Sequence, residues 1–278
     1  MNNIKKIAII GVGFMGGSLA LALREKFSNI SIWGYSRSKK TYDKLKKLKI
    51  LDKVTRDCQI LIKDADIVVL ALPIKAIIEY FKIISPFLKP GAIIFDLGSS
   101  KKEIETQAHR LLPKTANFVG CHPLCGSEKS GAEFSNKDLY KGALCLIACF
   151  SNQRAARTVR GLWKSLGSKV LFIKSDWHDK VLSCVSHLPH IISFSLTQFI
   201  PQNYLKFSSG SFKDLTRISN SPAAVWTDIF LSNKKNILKD LNKFIRTLKT
   251  YENLLKKGNK NKITGLIDKV NAKQRRII

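Results

Sequence analysis

The sequence predicts an α/β fold in which a doubly wound, Rossmann-type parallel sheet is followed by an all-helical dimerisation domain. Three observations indicate this class. Residues 1–174 alternate short apolar runs with longer amphipathic segments, and runs such as IVVLAL are apolar throughout, as in parallel strands covered on both faces. A glycine-rich turn follows the first apolar run. From about residue 175 onward only helical periodicity remains.

Each apolar run before residue 175 is a predicted strand, and most amphipathic segments between them are predicted helices. Strands are expected over 7–10, 30–34, 67–72, 92–97, 117–121, 144–148 and 170–173, and helices over 18–27, 39–48, 76–84, 101–112 and 155–166. Ser100 and Glu103 have the spacing of a capping box, in which the hydroxyl and the carboxylate each bind a free backbone N–H. They therefore predict the start of the helix over 101–112.

The second half of the chain contains predicted helices over 176–199, 223–231, 235–255 and 263–273, separated by Pro201, Pro222 and a Gly-Asn loop. The helix over 235–255 carries an apolar stripe that another helix must cover. A few long helices bury little surface by themselves, so we expect this half to pair with a second copy. The predicted domains are 1–174, which binds a dinucleotide, and 175–278, which binds substrate and dimerises.

The chain is strongly basic, because 48 Lys and Arg residues against 20 Asp and Glu residues give a net charge of +28. Such a charge attracts polyanions. However, the basic residues are scattered, are mostly lysine, and accompany neither a zinc-finger spacing nor an aromatic RNA-binding strand. We therefore expect a solvated basic surface and no nucleic-acid partner. The mean hydropathy of -0.05 predicts a core without a membrane span.

The N-terminal residues run directly into the first predicted strand, so no export signal is expected. The six cysteines lie mostly in apolar runs, which is typical of buried thiols in a reducing compartment, and we expect a cytoplasmic protein. Some of these cysteines superficially resemble metal ligands. Their spacing fits neither a zinc knuckle nor a zinc ribbon, so no metal is expected at Cys121, His122, Cys125, Cys145 or Cys149.

The turn after the first strand reads GVGFMG, with glycines at Gly11, Gly13 and Gly16 and with Phe14 and Met15 opening the helix. Between a strand and a helix this pattern is the dinucleotide-binding fingerprint. The first glycine makes a tight turn, the second lets the backbone approach a pyrophosphate, and the third packs the helix against the strand. These five residues are the predicted cofactor-binding loop.

The second strand is followed by Ser36-Arg37-Ser38-Lys39 and lacks the acidic residue that binds the ribose hydroxyls of NAD. A hydroxyl with a guanidinium and a lysine suits a 2′-phosphate, because arginine binds phosphate through paired charge-assisted hydrogen bonds. Ser36, Arg37 and Lys39 therefore predict NADP rather than NAD. The alternative is that Arg37 and Lys39 belong to the general basic surface.

Polar residues follow two neighbouring strands, with Ser99 in DLGSSK and His122 in GCHPLCGSEKSG. Because ligands bind at the carboxyl ends of strands in this fold class, His122 is a candidate general base, with Ser99 holding one ring nitrogen. In the helical half, Arg217 is a candidate carboxylate ligand within a lysine-rich region. His187 and His190 share one helical face, and helix packing is the alternative interpretation of His187.

Together, the segments GVGFMGGS, DLGSSK, HPLCGSEKSG, SHLPH and SFKDLTRIS, followed by Trp226, resemble the prephenate and arogenate dehydrogenase family of tyrosine biosynthesis. The segments cover nearly the whole chain in the family's order. The resemblance implies an oxidative decarboxylation, in which a hydride leaves C4 of a cyclohexadienol ring for the nicotinamide and the ring carboxylate departs as carbon dioxide. It also implies a helical homodimer.

Carried over by position, the resemblance implies that His122 accepts the proton of the ring hydroxyl and that Ser99 orients this histidine or shares its contact with the hydroxyl. Arg217 is implied to bind a substrate carboxylate. The other implied site residues line the side-chain end of the pocket, guard its entrance or reach in from the partner subunit, and they are His190, Ser186, Ser127, Glu128 and Trp226.

Arogenate carries an ammonium where prephenate carries a keto group, and Glu128 is a candidate for binding that ammonium. The predicted function is therefore NADP-dependent conversion of arogenate to tyrosine and carbon dioxide. NAD-dependent oxidation of prephenate to 4-hydroxyphenylpyruvate is the alternative. A hydroxyacid dehydrogenase is disfavoured because no lysine in a glycine-rich helix follows residue 175. A non-catalytic dinucleotide sensor or nucleic-acid-binding protein is the alternative from a different class.

Overall fold

The computed structural model describes residues 4–126 and 129–276, and the chain divides into two compact units, Met1–Asn233 and Lys234–Ile278. The first unit begins with an α/β region. Its strands are β1 (Lys6–Ile10), β2 (Ser31–Tyr35), β3 (Lys53–Thr55), β4 (Ile67–Leu70), β5 (Ile93–Asp96), β6 (Asn117–Leu124), β7 (Leu144–Phe150) and β8 (Lys169–Phe172). Its helices are α1 (Phe14–Lys26), α2 (Lys39–Leu48), α3 (Cys58–Ile62), α4 (Ile74–Ile84), α5 (Lys102–Leu111) and α6 (Gln153–Ser165).

The strands form one eight-stranded sheet in the order β3-β2-β1-β4-β5-β6-β7-β8. All neighbouring pairs are parallel except β6 with β7, which is antiparallel. The predicted Rossmann-type α/β class is confirmed, but the sheet is mostly rather than entirely parallel. The sequence prediction also missed β3 and α3, because a strand of three residues, KVT, has neither the length nor the apolar pattern of a buried strand.

The parallel register aligns the carboxyl ends of the central strands in one row. Ile10 lies beside Leu70, Leu70 beside Asp96, and Asp96 beside Gly120. Alternate residues of these strands pack into two apolar clusters, so that the sheet is covered on both faces. The segments that follow β1 and β5 therefore start from the same edge of a rigid sheet, and β6 continues past this edge through residues 121–124; ligands bind at this edge in this fold class.

The rest of the first unit is helical. It contains α7 (Ser175–Leu182), a π-helical turn (Ser183–His187), α8 (Leu188–Phe199), α9 (Gly210–Thr216) and α10 (Ala223–Ser232). The sequence predicts one helix over 176–199, and the structure differs in the π-helical turn, which comes just before Pro189. Proline has no N–H to donate to the carbonyl four residues earlier, so the regular hydrogen-bond ladder is interrupted there.

The second unit consists of α11 (Lys234–Lys256) and α12 (Lys260–Gln274), joined by a turn in which Gly258 has a φ of 58°. Both helices are predicted by the sequence, with bounds a few residues shorter. Several apolar side chains of α11 are exposed in the single chain, including Leu238, Ile245 and Leu248. Across residues 4–126 and 129–276, no helix has both the length and the hydropathy that crossing a membrane requires.

The N-terminus of α5 is capped by a residue that is distant in sequence. The predicted capping box of Ser100 and Glu103 is wrong, because no side chain of this segment caps the helix. Instead, the carboxylate of Asp179 on α7 accepts hydrogen bonds from the backbone N–H groups of Lys101, at 2.8 Å, and Lys102, at 3.0 Å. This carboxylate joins the helical region to the sheet region.

We predict that Asp179→Ala lowers the free energy of unfolding by about 3 kcal/mol, because it leaves buried backbone donors without an acceptor. Glu103→Ala is the matched control and should cost less than about 0.5 kcal/mol, since the exposed side chain of Glu103 contributes only a helix-dipole interaction. Urea denaturation of the two variants measures both values. A loss for Glu103→Ala equal to that for Asp179→Ala would restore the capping box, because alanine lacks the acceptor that the box needs.

Candidate active site

The turn between β1 and α1 has the geometry of a dinucleotide-binding loop. Gly11 has a φ of 91°, and a Cβ at this position would lie 2.2 Å from the carbonyl oxygen of Ala71. A Cβ on Gly16 would lie 2.3 Å from the carbonyl oxygen of Gly11, so a larger residue could not pack there. At Gly13 the space beyond the backbone is open. The first and third glycines thus shape the turn, and the second leaves room for a ligand.

The residues of this turn fit a pyrophosphate. Helix α1 begins at Phe14 and Met15, its N-cap residue Gly13 offers no side-chain acceptor, and its first turn contains no acidic residue. The N–H groups of the first helical turn are therefore available to an anion, at the positive end of the helix. The open space at Gly13 lets such an anion approach the backbone.

A cleft of about 440 Å³ extends from this turn to the end of β2. Gly11, Gly13, Ser36 and Arg37 all line it. Ser36 is buried, whereas Arg37 is exposed. Lys39 starts α2 and is not one of the lining residues. Of the three side chains predicted for the 2′-phosphate, Ser36 and Arg37 therefore lie in the cleft.

Two further basic residues lie at this end of the cleft, and the sequence analysis missed both. Arg56 follows β3, and its Nη2 donates to the carbonyl oxygen of Arg37 at 3.3 Å. Lys44 lines the cleft, and its Nζ is 2.6 Å from Oε1 of Glu133. Arg56 reaches Arg37 only because β3 pairs with β2, and the short polar strand gives no signal of that pairing.

The imidazole of His122, near the end of β6, belongs to a hydrogen-bonded series. Its Nδ1 is 2.9 Å from Nε2 of His178, and Nδ1 of His178 is 2.8 Å from Oδ1 of Asp179. His178 and Asp179 are buried, while His122 is half-buried. The other ring nitrogen of His122 makes no hydrogen bond within the described part of the chain.

Burial lowers the pKa of His122 well below 6.5, and the neighbouring His178, Lys101 and His187 lower it further. Burial also lowers the pKa of His178, against the opposing effect of Asp179. Burial raises the pKa of Asp179, but hydrogen bonds from His178 and from two backbone N–H groups outweigh it, and the net pKa of this carboxyl is lowered. At neutral pH the series therefore contains two neutral imidazoles and one carboxylate.

A buried ion pair lies at the end of β5. The Nζ of Lys101 contacts Oδ2 of Asp96, and both side chains are fully buried. The same carboxylate accepts hydrogen bonds from the backbone N–H groups of Gly98, at 2.8 Å, and Cys121, at 3.2 Å. These two residues immediately precede the predicted catalytic pair in the chain. The carboxylate of Asp96 therefore fixes the backbone immediately before Ser99 and immediately before His122.

The helical region places a second histidine next to an arginine and a tryptophan. His190 stacks on Trp226 of its own chain, with ring centroids 3.4 Å apart, and its Nδ1 donates to the carbonyl oxygen of Ser186 at 2.9 Å. Burial lowers the pKa of His190, and the guanidinium of Arg217 lowers it further. His190, Trp226, Ser186 and Arg217 therefore lie together.

His187 lies between these two groups. It is fully buried, and Nδ2 of Asn233 is 3.1 Å from its Nδ1 and 2.7 Å from the carbonyl oxygen of Asp179. Burial lowers the pKa of His187 to about 4, with His178 and His190 lowering it and Asp179 opposing them. The residues around His122 and those around His190 therefore share one electrostatic environment.

Three of the predicted site residues remain to be placed, and they are Ser99, Ser127 and Glu128. Ser99 is half-buried after β5, and no hydrogen bond between Ser99 and His122 is found among the described residues, where His178 binds Nδ1 of His122. Ser127 and Glu128 lie outside the described residues. The sequence analysis missed His178, although an adjacent His-Asp pair near the start of a helix was the available signal.

The cysteines are all free thiols. Burial raises the pKa of Cys125 to about 12, so this thiol is protonated near neutral pH and is a poor metal ligand. In the ranges that the structure describes, no cluster of three or more His, Cys, Asp or Glu side chains could hold a metal ion.

Two family models match the chain in tandem. Residues 19–172 match the nucleotide-binding domain of prephenate dehydrogenase, and residues 174–269 match its dimerization domain. The chain belongs to the prephenate dehydrogenase family. The resemblance inferred from the sequence motifs is therefore confirmed, and this prephenate dehydrogenase family member is an oxidoreductase.

Individual relatives extend the likeness over both domains. A prephenate dehydrogenase from Lactococcus lactis is 34% identical over 257 residues, which cover 88% of this chain and 70% of the relative. A cyclohexadienyl dehydrogenase from Zymomonas mobilis is 31% identical over 258 residues, covering 90% and 88%. The crystal structure of the Aquifex aeolicus prephenate dehydrogenase in complex with hydroxyphenyl propionate and NAD+ is 31% identical, covers 99% of each chain and has a TM-score of 0.91.

For this prephenate dehydrogenase family member, we predict that His122 stays neutral at pH 6.5. Its pKa is lowered, so the neutral imidazole persists as the pH falls through 6.5 and gains a proton only well below that value. An NMR titration of histidine-labelled protein, with the His122 resonance assigned by its absence in His122→Asn, measures the midpoint. A midpoint at or above 6.5 would contradict the burial of this site.

Proposed function

We propose that the protein oxidatively decarboxylates arogenate with NADP as the hydride acceptor, giving tyrosine and carbon dioxide. Oxidation of prephenate with NAD is the alternative. The observation that carries the proposal is the series from His122 through His178 to Asp179, which lies at the same sheet edge as the glycine-rich turn. This arrangement combines a neutral base with a dinucleotide cleft.

In this proposal His122 is the general base. The ring nitrogen that His178 does not bind accepts the proton of the ring hydroxyl, and the electron pair of the C4–H bond leaves as a hydride. Bound NADP supplies the nicotinamide that takes up this hydride. The electron pair of the bond to the ring carboxylate then enters the ring as carbon dioxide leaves, and the ring oxygen regains a proton. Aromatisation supplies the driving force, so the protein contributes mainly orientation and a base.

Arg217 and His190 are proposed to hold the substrate. Arg217 is exposed at the end of α9 and lies close enough to His190 to lower the pKa of its imidazole. A guanidinium binds a carboxylate through two parallel hydrogen bonds, which fixes orientation as well as position. Trp226 stacks on His190 and thereby holds the orientation of the imidazole ring.

The proposal of NADP depends on the basic end of the cleft. Ser36 and Arg37 line it, and the guanidinium of Arg56 contacts the backbone carbonyl of Arg37, so two arginines lie where the sequence lacks an acidic residue. Such a pair favours a phosphate over a ribose hydroxyl. The preference for arogenate depends on the Glu128 carboxylate, for which the sequence alone argues.

We further propose that the protein acts as a homodimer. The match of residues 174–269 to a dimerization domain supports this, as do the exposed apolar side chains of α11. Burying such side chains against a second copy removes apolar surface from water.

The decisive experiment follows the formation of reduced nicotinamide with arogenate and prephenate, each combined with NADP and with NAD. We expect the fastest turnover with arogenate and NADP. Preference for prephenate would overturn the assignment of Glu128, and preference for NAD would overturn that of Arg37. No turnover in any combination, from folded protein that binds a dinucleotide, would contradict the proposed reaction.

We predict that His122→Asn lowers kcat on the order of 10²- to 10⁴-fold, the usual contribution of a general base. Cofactor affinity should stay unchanged, because the variant lies outside the dinucleotide cleft. Steady-state kinetics and fluorescence titration with NADP measure the two effects. Unchanged turnover would remove His122 from the mechanism.

We predict that Arg37→Ala weakens NADP binding by about 10- to 100-fold and NAD binding much less, because only NADP offers a phosphate to the guanidinium. Lys40→Ala removes one positive charge from the first turn of the adjacent helix and is the matched control, with little expected change. Calorimetric titration with both dinucleotides separates the outcomes. Equal weakening of NADP and NAD would show that Arg37 contributes only general charge.

A further inference from the structure

The hydrogen bonds around His178 determine which of its nitrogens carries the proton. Its Nδ1 lies 2.8 Å from Oδ1 of Asp179, and an ionised carboxylate can only accept. Asp179 also accepts two backbone N–H groups, from Lys101 and Lys102, and these favour its ionised form. His178 must therefore carry its proton on Nδ1, which leaves a lone pair on Nε2.

The same reasoning extends to His122. Its Nδ1 is 2.9 Å from Nε2 of His178, and the two rings are tilted by 58°, so they meet through their nitrogens rather than stacking. Because Nε2 of His178 is an acceptor, Nδ1 of His122 must donate. The neutral His122 then has its lone pair on Nε2, the nitrogen that makes no hydrogen bond within the described residues.

We propose that His178 is a positioning residue that holds His122 in the tautomer with Nδ1 protonated and Nε2 free to act as the base. Asp179 holds His178 in turn. This inference rests on the proposed function, because it assigns a purpose to the base nitrogen of His122. His178 touches neither the substrate nor the cofactor in this scheme and acts only through His122.

The arrangement has a second consequence once His122 has accepted a proton. The imidazolium donates from Nδ1 to His178, which remains neutral, and the carboxylate of Asp179 stabilises the positive charge through that ring. The groups that surround His122 and influence its charge are His178 and Asp179 on α7, His187 in the π-helical turn, and the ion pair of Lys101 with Asp96. His178 is the only one of these side chains that forms a described hydrogen bond with the His122 ring.

Two substitutions of His178 separate positioning from packing. Leucine fills much of the same volume but cannot accept the hydrogen bond of His122, so the ring is no longer confined to one tautomer. Glutamine offers a carbonyl acceptor to His122 and an amide donor to Asp179, as the neutral imidazole does. His109→Leu, an exposed position on α5, is the matched control for the loss of a histidine.

The first test is nitrogen NMR of histidine-labelled protein without cofactor, which reports the tautomer of each of the five histidines directly. We expect wild-type His122 to be protonated on Nδ1, His178→Gln to keep this tautomer, and His178→Leu to lose it. A wild-type His122 protonated on Nε2 would overturn the proposal, whatever the activity of the variants and whether or not they fold.

The second test is the dependence of kcat on pH with arogenate and prephenate. We expect His178→Leu to lower kcat on the order of 10²-fold or more, with KM and NADP affinity nearly unchanged. His178→Gln should recover most of this loss, and His109→Leu should match the wild type. An unchanged kcat and pH profile in His178→Leu, beside an inactive His122→Asn, would overturn the positioning role while leaving the proposed function intact. An active His122→Asn would overturn both the base and its positioning, whereas a folded wild type without turnover would overturn the proposed function.

Discussion

The residues around His122 are held in place by two buried carboxylates, those of Asp179 and Asp96, because each carboxylate must be paired with hydrogen-bond donors. Asp179 is buried on α7 and satisfies its oxygens with His178 and with the backbone N–H groups at the start of α5. An ionised carboxylate without such partners would cost several kcal/mol in the protein interior. These hydrogen bonds join the helical region to the sheet region, and in this arrangement His178 lies against His122.

The carboxylate of Asp96 fixes its neighbours in the sheet region in the same way, through hydrogen bonds. It contacts the ammonium of Lys101 and binds two backbone N–H groups, one at the end of β5 and one within β6. Lys101 also donates its backbone N–H to Asp179, so the two carboxylates meet at a single residue. The result is a continuous polar network from the sheet through α5 and α7 to His122. Because Asp96, Asp179, Lys101 and His178 each have more than one partner, a shift of one element affects its neighbours in the network.

Three parts of the site differ in how they are built, namely the glycine-rich turn, the basic end of the cleft and the histidine cluster. At the glycine-rich turn the backbone itself forms the binding surface, since Gly11 and Gly16 allow contacts that a Cβ would prevent. At the basic end of the cleft, Arg37 and Arg56 are exposed and can adapt to a phosphate. The histidine cluster, by contrast, is largely buried, and burial keeps its imidazoles neutral. Neutral histidines suit a reaction that begins with removal of a proton.

The sequence by itself determined the α/β class, the glycine-rich turn, nearly all of the longer helices and the family, because apolar periodicity and short motifs are local signals. It also singled out His122. Only the tertiary structure decided that His178 binds Nδ1 of His122, that Asp179 replaces the expected capping box, and that Arg56 lies beside Arg37. Each of these contacts joins residues separated by between 19 and 78 positions, and no local pattern encodes which distant donors and acceptors will meet when the core closes.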